Sequence, residues 1–239
     1  MSLPKSKLGR PPDGYSIAMV AACPFPANHG SAASIREMSD TLTDMGHNVT
    51  IVTYPIGQED IHVRCAKVRR TGPFRPETNA KVGPSADKFL LDFKLLKLLC
   101  RVIREEKVDV IHAHNYEGAL VGIMAKFITR RPLLYNAVNL MSDELAGYKF
   151  IRPAFLADWL AAILGSFLPL LSAHTTAFSP AMRDWFVALG LPARKLTLVP
   201  ARLCPAVFDL PHPANFPRRG PGTTPHARRC TDSVASPPP

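Results

Sequence analysis

The stretch "YSIAMVAACPFPANHGSAASIREMSDTLTDMGHNVTIVTYP" (Tyr15–Pro55) decides the fold. It opens with a short and nearly continuous apolar run, Tyr15–Ala22, which is typical of a β-strand covered on both faces. A segment with apolar residues at helical spacing follows, and a second apolar run, Asn48–Pro55, comes after it. Strand, helix and strand in this order predict a βαβ unit, in which the two strands are parallel.

The helix of this unit has recognisable ends. Its apolar face is carried by Ile35, Met38, Leu42 and Met45. Ser34 and Glu37 have the spacing of a capping box, so we expect the helix to begin at Ser34. Gly46 stands where a glycine commonly ends a helix.

The remainder of the chain repeats the same alternation. Helices are predicted over residues 88–106, 118–128 and 180–189, the last with a proline in its first turn, and strands over residues 108–114, 132–138, 174–179 and 195–200. Such alternation predicts an α/β fold, a Rossmann-like doubly wound parallel sheet over residues 15–201. Ligands of these sheets bind at the carboxyl ends of the strands.

The two ends of the chain differ from this domain. Residues 1–14 are polar and basic, and we expect a flexible tail. Residues 202–239 are rich in proline and arginine and lack apolar periodicity, so we expect a disordered tail, a composition that a frameshift would also produce. The ends hold much of the net charge of +10, and no basic stripe interleaved with aromatics occurs between them, which disfavours nucleic-acid binding.

The cysteines and the N-terminal residues indicate which cellular compartment we expect for the protein. The five cysteines are widely spaced without a CxxC pair, which favours reduced thiols and no metal site. The first residues contain no apolar segment of the secretory type, so we expect a cytoplasmic protein.

The loop after the first strand is rich in residues with small side chains, which leaves its backbone accessible. Gly30 is surrounded by small residues, so N–H groups at the start of the helix could approach a phosphate closely. A simple tight turn is the alternative, and from the residues alone both readings stay open. Neither GxGxxG nor GxxxxGK[ST] is present, which disfavours a dehydrogenase and a P-loop enzyme.

Several ordered segments resemble a known family: "PFPANHGSAASIREMSDTLTDMGHNVTIVTYP", "DVIHAHNYEGALVGIMAKF", "PLLYNAVNLMSDEL", "SAHTTAFSPAMRDW" and "KLTLVPA". Together they are similar to the N-terminal, acceptor-side domain of GT-B fold glycosyltransferases of family 4. The resemblance implies a retaining transferase that uses a nucleotide-sugar donor, needs no cofactor or metal, and reacts in a cleft between two Rossmann-like domains. It places Asn28, His29, Gly30 and Ser31 against the donor diphosphate and the acceptor.

Other residues at the predicted strand ends are candidates for the same cleft: His114, Asn115, Tyr116, Asn139 and Glu144. Each also has an ordinary interpretation. His114 could be a satisfied strand-end histidine, Asn115 and Tyr116 plain loop residues, and Glu144 a first-turn helix acid. The family commonly has a histidine near the transferred sugar where this chain has Val138, which can neither donate a hydrogen bond nor carry charge.

The resemblance further implies a second, donor-binding domain, for which residues 202–239 show no pattern. We therefore expect this chain alone to be inactive. Three interpretations stay open: the acceptor half of a glycosyltransferase, a binding half that works with a separately encoded donor domain, and an inert truncated product.

Two segments raise the question of a membrane. Residues 152–174 are apolar, and a buried helix is the favoured interpretation because Asp158 and Pro169 interrupt the run. Helix 88–106 carries Lys94, Lys97, Arg101 and Arg104 beside an apolar face, so peripheral contact with the inner face of a membrane and a lipid-linked acceptor stay open.

Overall fold

The computed structural model describes residues 14–28, 30–58, 61–64, 66–72, 86–138 and 165–199. Its strands are β1 Ser16–Ala21, β2 Asn48–Thr53, β3 Lys67–Arg70, β4 Val110–His114, β5 Leu133–Ala137, β6 His174–Ala177 and β7 Leu196–Leu198. Its helices are α1 Gly30–Asp44, α2 Ala86–Glu105, α3 Asn115–Thr129, α4 at residues 165–171, and α5 Pro180–Ala188.

The strands form one parallel sheet in the order β3-β2-β1-β4-β5-β6-β7. This confirms the predicted doubly wound α/β fold. The chain turns outward in both directions from β1, where Val20 pairs with Val52 of β2 on one side and with Ala113 of β4 on the other. A strand order that reverses at β1 and β4 opens a crevice above their carboxyl ends.

Alternating side chains of the strands build a core on each face of the sheet. Val20 and Ile111 point to the face covered by α2 and α3, where Leu95 and Leu99 of α2 are fully buried. The opposite face of β1 and β2 packs against Ile35 of α1. Burial on both faces explains why these strands read as continuous apolar runs.

Helix α1 begins earlier than the capping-box prediction, which is wrong. It starts at Gly30, so Ser34 lies in its second turn. Ala32 and Ala33 are strong helix formers and are buried, which favours extending the helix to Gly30. The predicted end is confirmed, because Gly46 has φ of 84° and the amides of Gly46 and His47 donate to Thr43 O and Leu42 O at 2.8 and 3.1 Å.

Two further elements, α5 and β3, differ in whether the sequence predicted them. The start of α5 was predicted, and there Pro180 occupies the first turn while Ser179 Oγ accepts from the amide of Met182 at 3.1 Å. Strand β3 was not predicted. Its sequence, Lys67–Arg70, is mostly charged because it is an edge strand whose side chains are half or fully exposed.

The two tails lie almost entirely outside the described residues, and so does most of the apolar segment 152–174, of which residues 165–171 are helical. Among the helices that the structure describes, none combines the length and the apolar character needed to cross a membrane.

Candidate active site

The loop after β1 is tied to the loop after β2 by main-chain hydrogen bonds. The amide of Phe25 donates to Ile56 O at 3.0 Å, and the amide of Gln58 donates to Pro26 O at 2.8 Å. Gln58 also accepts from the amide of Asn28 through its side-chain oxygen at 3.0 Å. A Cβ at Gly57 would lie 2.3 Å from Phe25 O, so glycine permits this close approach of the two loops.

The end of this loop leads directly into α1. Gly30 and Ser31, predicted as loop residues, form the first turn of the helix, and a Cβ added at Gly30 would meet no atom of the described residues within 4 Å. First-turn amides of a helix have no acceptor within the helix. No described residue therefore blocks the approach of an anion to the positive end of α1 at Gly30. Asn28 is exposed just before it, and His29 lies outside the described residues.

At the end of β4 the chain passes into α3 without a loop. Asn115 and Tyr116, predicted as loop residues, are the first residues of α3, and Asn115 has a left-handed φ of 59°. Asparagine tolerates that region better than most residues. Tyr116 is buried and donates from its hydroxyl to Glu117 Oε1 at 3.1 Å.

His114 is anchored in a buried polar chain that crosses three strands. Only 2% of its surface is exposed, and its Nδ1 lies 3.0 Å from Nδ2 of Asn136 on β5. Asn136 Oδ1 in turn accepts from the hydroxyl of Thr176 on β6 at 2.7 Å. With the amide oxygen facing Thr176, the amide nitrogen donates to Nδ1, so the proton of the neutral imidazole lies on Nε2.

The charge of this histidine follows from its surroundings. Burial lowers the pKa of His112 to about 4, and burial together with the nearby His112 holds the pKa of His114 well below its ordinary value. The two rings lie 4.4 Å apart between centroids. Both imidazoles are therefore neutral at pH 7.

The last residue of β4 and the first residue of α3 each hold a buried atom without a hydrogen-bond partner among the described residues, His114 Nε2 and Asn115 Oδ1. His112 Nε2, two residues earlier on β4, also lacks such a partner. A buried polar atom without a partner is costly, about 1–3 kcal/mol, so such atoms are candidates to contact a ligand. His114 Nε2 carries a proton and Asn115 Oδ1 accepts one, which is the combination that a hydroxyl group can satisfy on both sides.

Comparison with known proteins decides the family. A sequence model described as "Glycosyl transferase 4-like domain" matches residues 29–202, which is most of the folded chain. The chain belongs to the glycosyl transferase 4-like family. This confirms the resemblance seen in the sequence.

Solved structures share the fold of this glycosyl transferase 4-like domain. Sucrose-phosphate synthase from Thermosynechococcus elongatus superposes with a TM-score of 0.59 at 14% identity, covering 78% of this chain and 48% of its own. The lipopolysaccharide outer core galactosyltransferase WaaB in its apo form gives 0.51 at 12% identity, covering 76% and 44%. The S. aureus MnaA–UDP co-structure gives 0.51 at 13% identity, covering 77% and 43%. The chain thus spans less than half the length of these proteins. Among curated protein sequences none matches.

The glycosyl transferase 4-like domain brings most of the predicted site residues to one edge of the sheet. Asn28, Gly30 and Ser31 follow β1, His114, Asn115 and Tyr116 follow or end β4, and Val138 comes directly after β5. Asn139 and Glu144 lie outside the described residues. Among the residues that the structure describes, no three histidine, cysteine, aspartate or glutamate side chains group as metal ligands.

Sequence reasoning missed Asn136 and Thr176. Both lie inside apolar strand patterns, where a polar residue reads as an ordinary strand position. Their one signal was that Asn136 and His114 each stand near the end of a predicted parallel strand and so share an edge of the sheet.

Proposed function

We propose that this domain supplies the acceptor-side half of a glycosyltransferase active site, which a donor-binding domain completes. The observation that carries the proposal concerns His114 Nε2 and Asn115 Oδ1, which have no hydrogen-bond partner among the described residues. Both lie at the same sheet edge as the first turn of α1. The donor in this proposal is a nucleotide-sugar, and the MnaA co-structure offers UDP as the nucleotide to try first.

The first turn of α1 would face the leaving group. In the transfer, the bond from the sugar C1 to a diphosphate oxygen breaks, the acceptor hydroxyl oxygen bonds to C1, and the hydroxyl proton passes to the departing diphosphate. Negative charge grows on the diphosphate during this step. Main-chain amides and the helix dipole at Gly30 and Ser31 would stabilise that charge at close range.

His114 would position a hydroxyl group and would not act as a base. Its Nδ1 is occupied by Asn136, so Nε2 carries the proton and can only donate. Asn115 Oδ1 would accept the proton of the same or a neighbouring hydroxyl. Val138, at the end of β5, adds apolar contact only.

The donor-binding domain would lie further along a longer polypeptide or on a separately encoded partner. The purified chain is therefore expected to release no nucleotide from UDP-, GDP- or ADP-sugars when candidate lipid-linked and small-molecule acceptors are supplied. Release above the level measured for Gly30→Val would show that the chain is active by itself. The proposal that transfer requires an additional donor-binding domain would then be wrong.

Binding of a diphosphate by this half can be tested without turnover. Pyrophosphate titrated into the labelled chain is expected to shift the amide signals of Gly30 and Ser31. Gly30→Val should weaken binding about tenfold, the effect of losing roughly one charge-assisted hydrogen bond, because the side chain fills the approach to the helix, where a Cβ meets no described residue within 4 Å.

Gly30→Ala, which fills less of the same space, serves as the matched control and should weaken binding less. Equal binding by the original chain, Gly30→Ala and Gly30→Val would exclude the first turn of α1 as the diphosphate site.

We further propose that α2 touches the inner face of a membrane, where a lipid-linked acceptor would be reached. Phe89 is 77% exposed and Phe93 51% exposed, and Lys97 Nζ lies 4.6 Å from the Phe93 ring centroid. Exposed aromatic rings beside lysines are typical of helices that bind anionic lipid surfaces.

Sedimentation with vesicles of phosphatidylcholine and phosphatidylglycerol should detect this contact. Phe93→Ser is expected to lower vesicle binding at least about threefold, because one buried aromatic ring contributes about 1 kcal/mol or more at an interface. Phe127→Ser is the matched control, since Phe127 is also exposed with a lysine near its ring but lies on α3. No binding at low salt, or equal loss for both variants, would reject the contact.

A further inference from the structure

A cavity of about 310 Å³ opens between the end of β3 and the outer face of α2. Lys94, Lys97 and Arg101 reach it from α2, where spacings of three and four residues place them on one side of the helix. Arg70 and Thr71 reach it from the end of β3. The pocket thus collects four cationic side chains from two elements that are distant in sequence.

No carboxylate from the described part of the chain lines this pocket. Arg69, the neighbouring residue on β3, forms ion pairs with Glu105 and Glu106 at 3.0 and 3.8 Å, whereas Arg70, Lys97 and Arg101 form none within the described part of the chain. Arg70 instead donates from Nη2 to the carbonyl oxygen of Phe25 at 3.4 Å. The positive charges of Arg70, Lys97 and Arg101 around a small cavity attract a multiply charged anion.

Thr71 provides an independent observation. The residue is 6% exposed, and its hydroxyl oxygen has no hydrogen-bond partner among the described residues. Its amide donates to Thr53 O at 3.0 Å, which fixes the residue at the pocket wall. A buried hydroxyl without a partner costs about 1–3 kcal/mol, a cost that an oxygen-rich ligand in the pocket would remove.

We propose that this pocket, formed by Arg70, Thr71, Lys94, Lys97 and Arg101, binds a phosphate monoester. Such a group carries up to two negative charges and three acceptor oxygens, which matches several cationic donors and one hydroxyl better than a carboxylate does. The volume admits the phosphate with a small part of the molecule that bears it. Because Arg70 contacts the loop after β1, the phosphate would stand beside the candidate active site.

The monoester has two chemical sources, a soluble phosphorylated molecule or the headgroup of a lipid. The full chain is therefore titrated with glycerol 3-phosphate, and separately sedimented with phosphatidylcholine vesicles containing either phosphatidic acid or phosphatidylserine at matched surface charge. Both readouts measure binding alone, so their outcome is independent of whether the domain takes part in sugar transfer.

Arg101→Gln is expected to weaken binding about tenfold, as expected for loss of a hydrogen bond to a charged group. Arg104→Gln is the matched control: it removes the same charge one turn later on α2, where the side chain lines a different cavity, and should change binding less than about twofold. Thr71→Val should weaken binding while leaving stability equal or higher, because it removes a hydroxyl that has no hydrogen-bond partner among the described residues.

Loss of glycerol 3-phosphate binding in Arg101→Gln and Thr71→Val but not in Arg104→Gln would support a soluble source. The same pattern confined to phosphatidic acid vesicles would support a lipid headgroup. Equal effects of Arg101→Gln and Arg104→Gln would overturn the proposal. So would the absence of glycerol 3-phosphate binding together with no excess binding of phosphatidic acid vesicles over phosphatidylserine vesicles.

Discussion

Replacing Asn136 by leucine is expected to lower the free energy of unfolding by about 2–4 kcal/mol, although the two side chains are similar in size. Asn136 is fully buried and hydrogen-bonds both His114 and Thr176. Leucine would leave His114 Nδ1 buried without its donor and would remove the acceptor of the Thr176 hydroxyl. Urea unfolding of the original chain and of Asn136→Leu measures the difference.

Two further variants separate this effect from the substitution itself. Asn48→Leu makes the same change at the exposed start of β2 and should alter stability by less than about 0.5 kcal/mol. Asn136→Asp keeps the shape but offers a carboxylate to Nδ1, so the imidazole proton should move from Nε2 to Nδ1 and the pKa of His114 should rise. Nitrogen chemical shifts of the ring report this directly. An unchanged tautomer in Asn136→Asp, or full stability in Asn136→Leu, would contradict the hydrogen bonds that link His114, Asn136 and Thr176.

Most of the fold could be predicted from the sequence, because the apolar runs of the strands and the periodicity of the helices indicated the same order of elements. Strands β1, β2, β4 and β5 are buried on both faces and therefore read as apolar runs, while the helices between them show helical periodicity. Strand β3 escaped because an edge strand needs no apolar face, and its four residues, KVRR, look like a solvated loop. The start of α1 was misplaced because a capping-box spacing at Ser34 says nothing about the small residues before it, which continue the helix to Gly30.

The sequence predicted where the candidate site lies but not the hydrogen bonds that determine its chemistry. Parallel strands bring their carboxyl ends to one edge, so the positions of Gly30 and His114 followed from the fold. The partners of His114 did not, because Asn136 and Thr176 are distant in sequence and their contact depends on strand register. The cationic pocket at the end of β3 could not be predicted either, because it is formed in part by an edge strand that the pattern of apolar residues did not indicate.

Lowering the pH from 7.0 to 5.5 is expected to destabilise the domain by about 2–3 kcal/mol, mainly through His112 and His114. Both pKa values are lowered in the folded state, chiefly by burial, and return to about 6.5 on unfolding. Below pH 6.5 the unfolded chain therefore binds protons that the folded chain does not. Stability is fully present above that pH and falls by about 1.4 kcal/mol per pH unit for each imidazole as the pH decreases.

Urea unfolding at pH 7.0, 6.5, 6.0 and 5.5 measures this slope. His112→Gln should reduce it by somewhat less than half, because His114 and the partly buried His174, whose pKa burial also lowers, still contribute. His62→Gln removes an exposed histidine instead and should leave the slope unchanged. Carboxylates titrate mainly below this range, so they add little between pH 7.0 and 5.5. A stability that does not vary with pH, or the same slope in His112→Gln as in the original chain, would mean that the two imidazoles are hydrated or charged in the folded protein. The assignment of His114 as a neutral donor at the sheet edge would then fail with it.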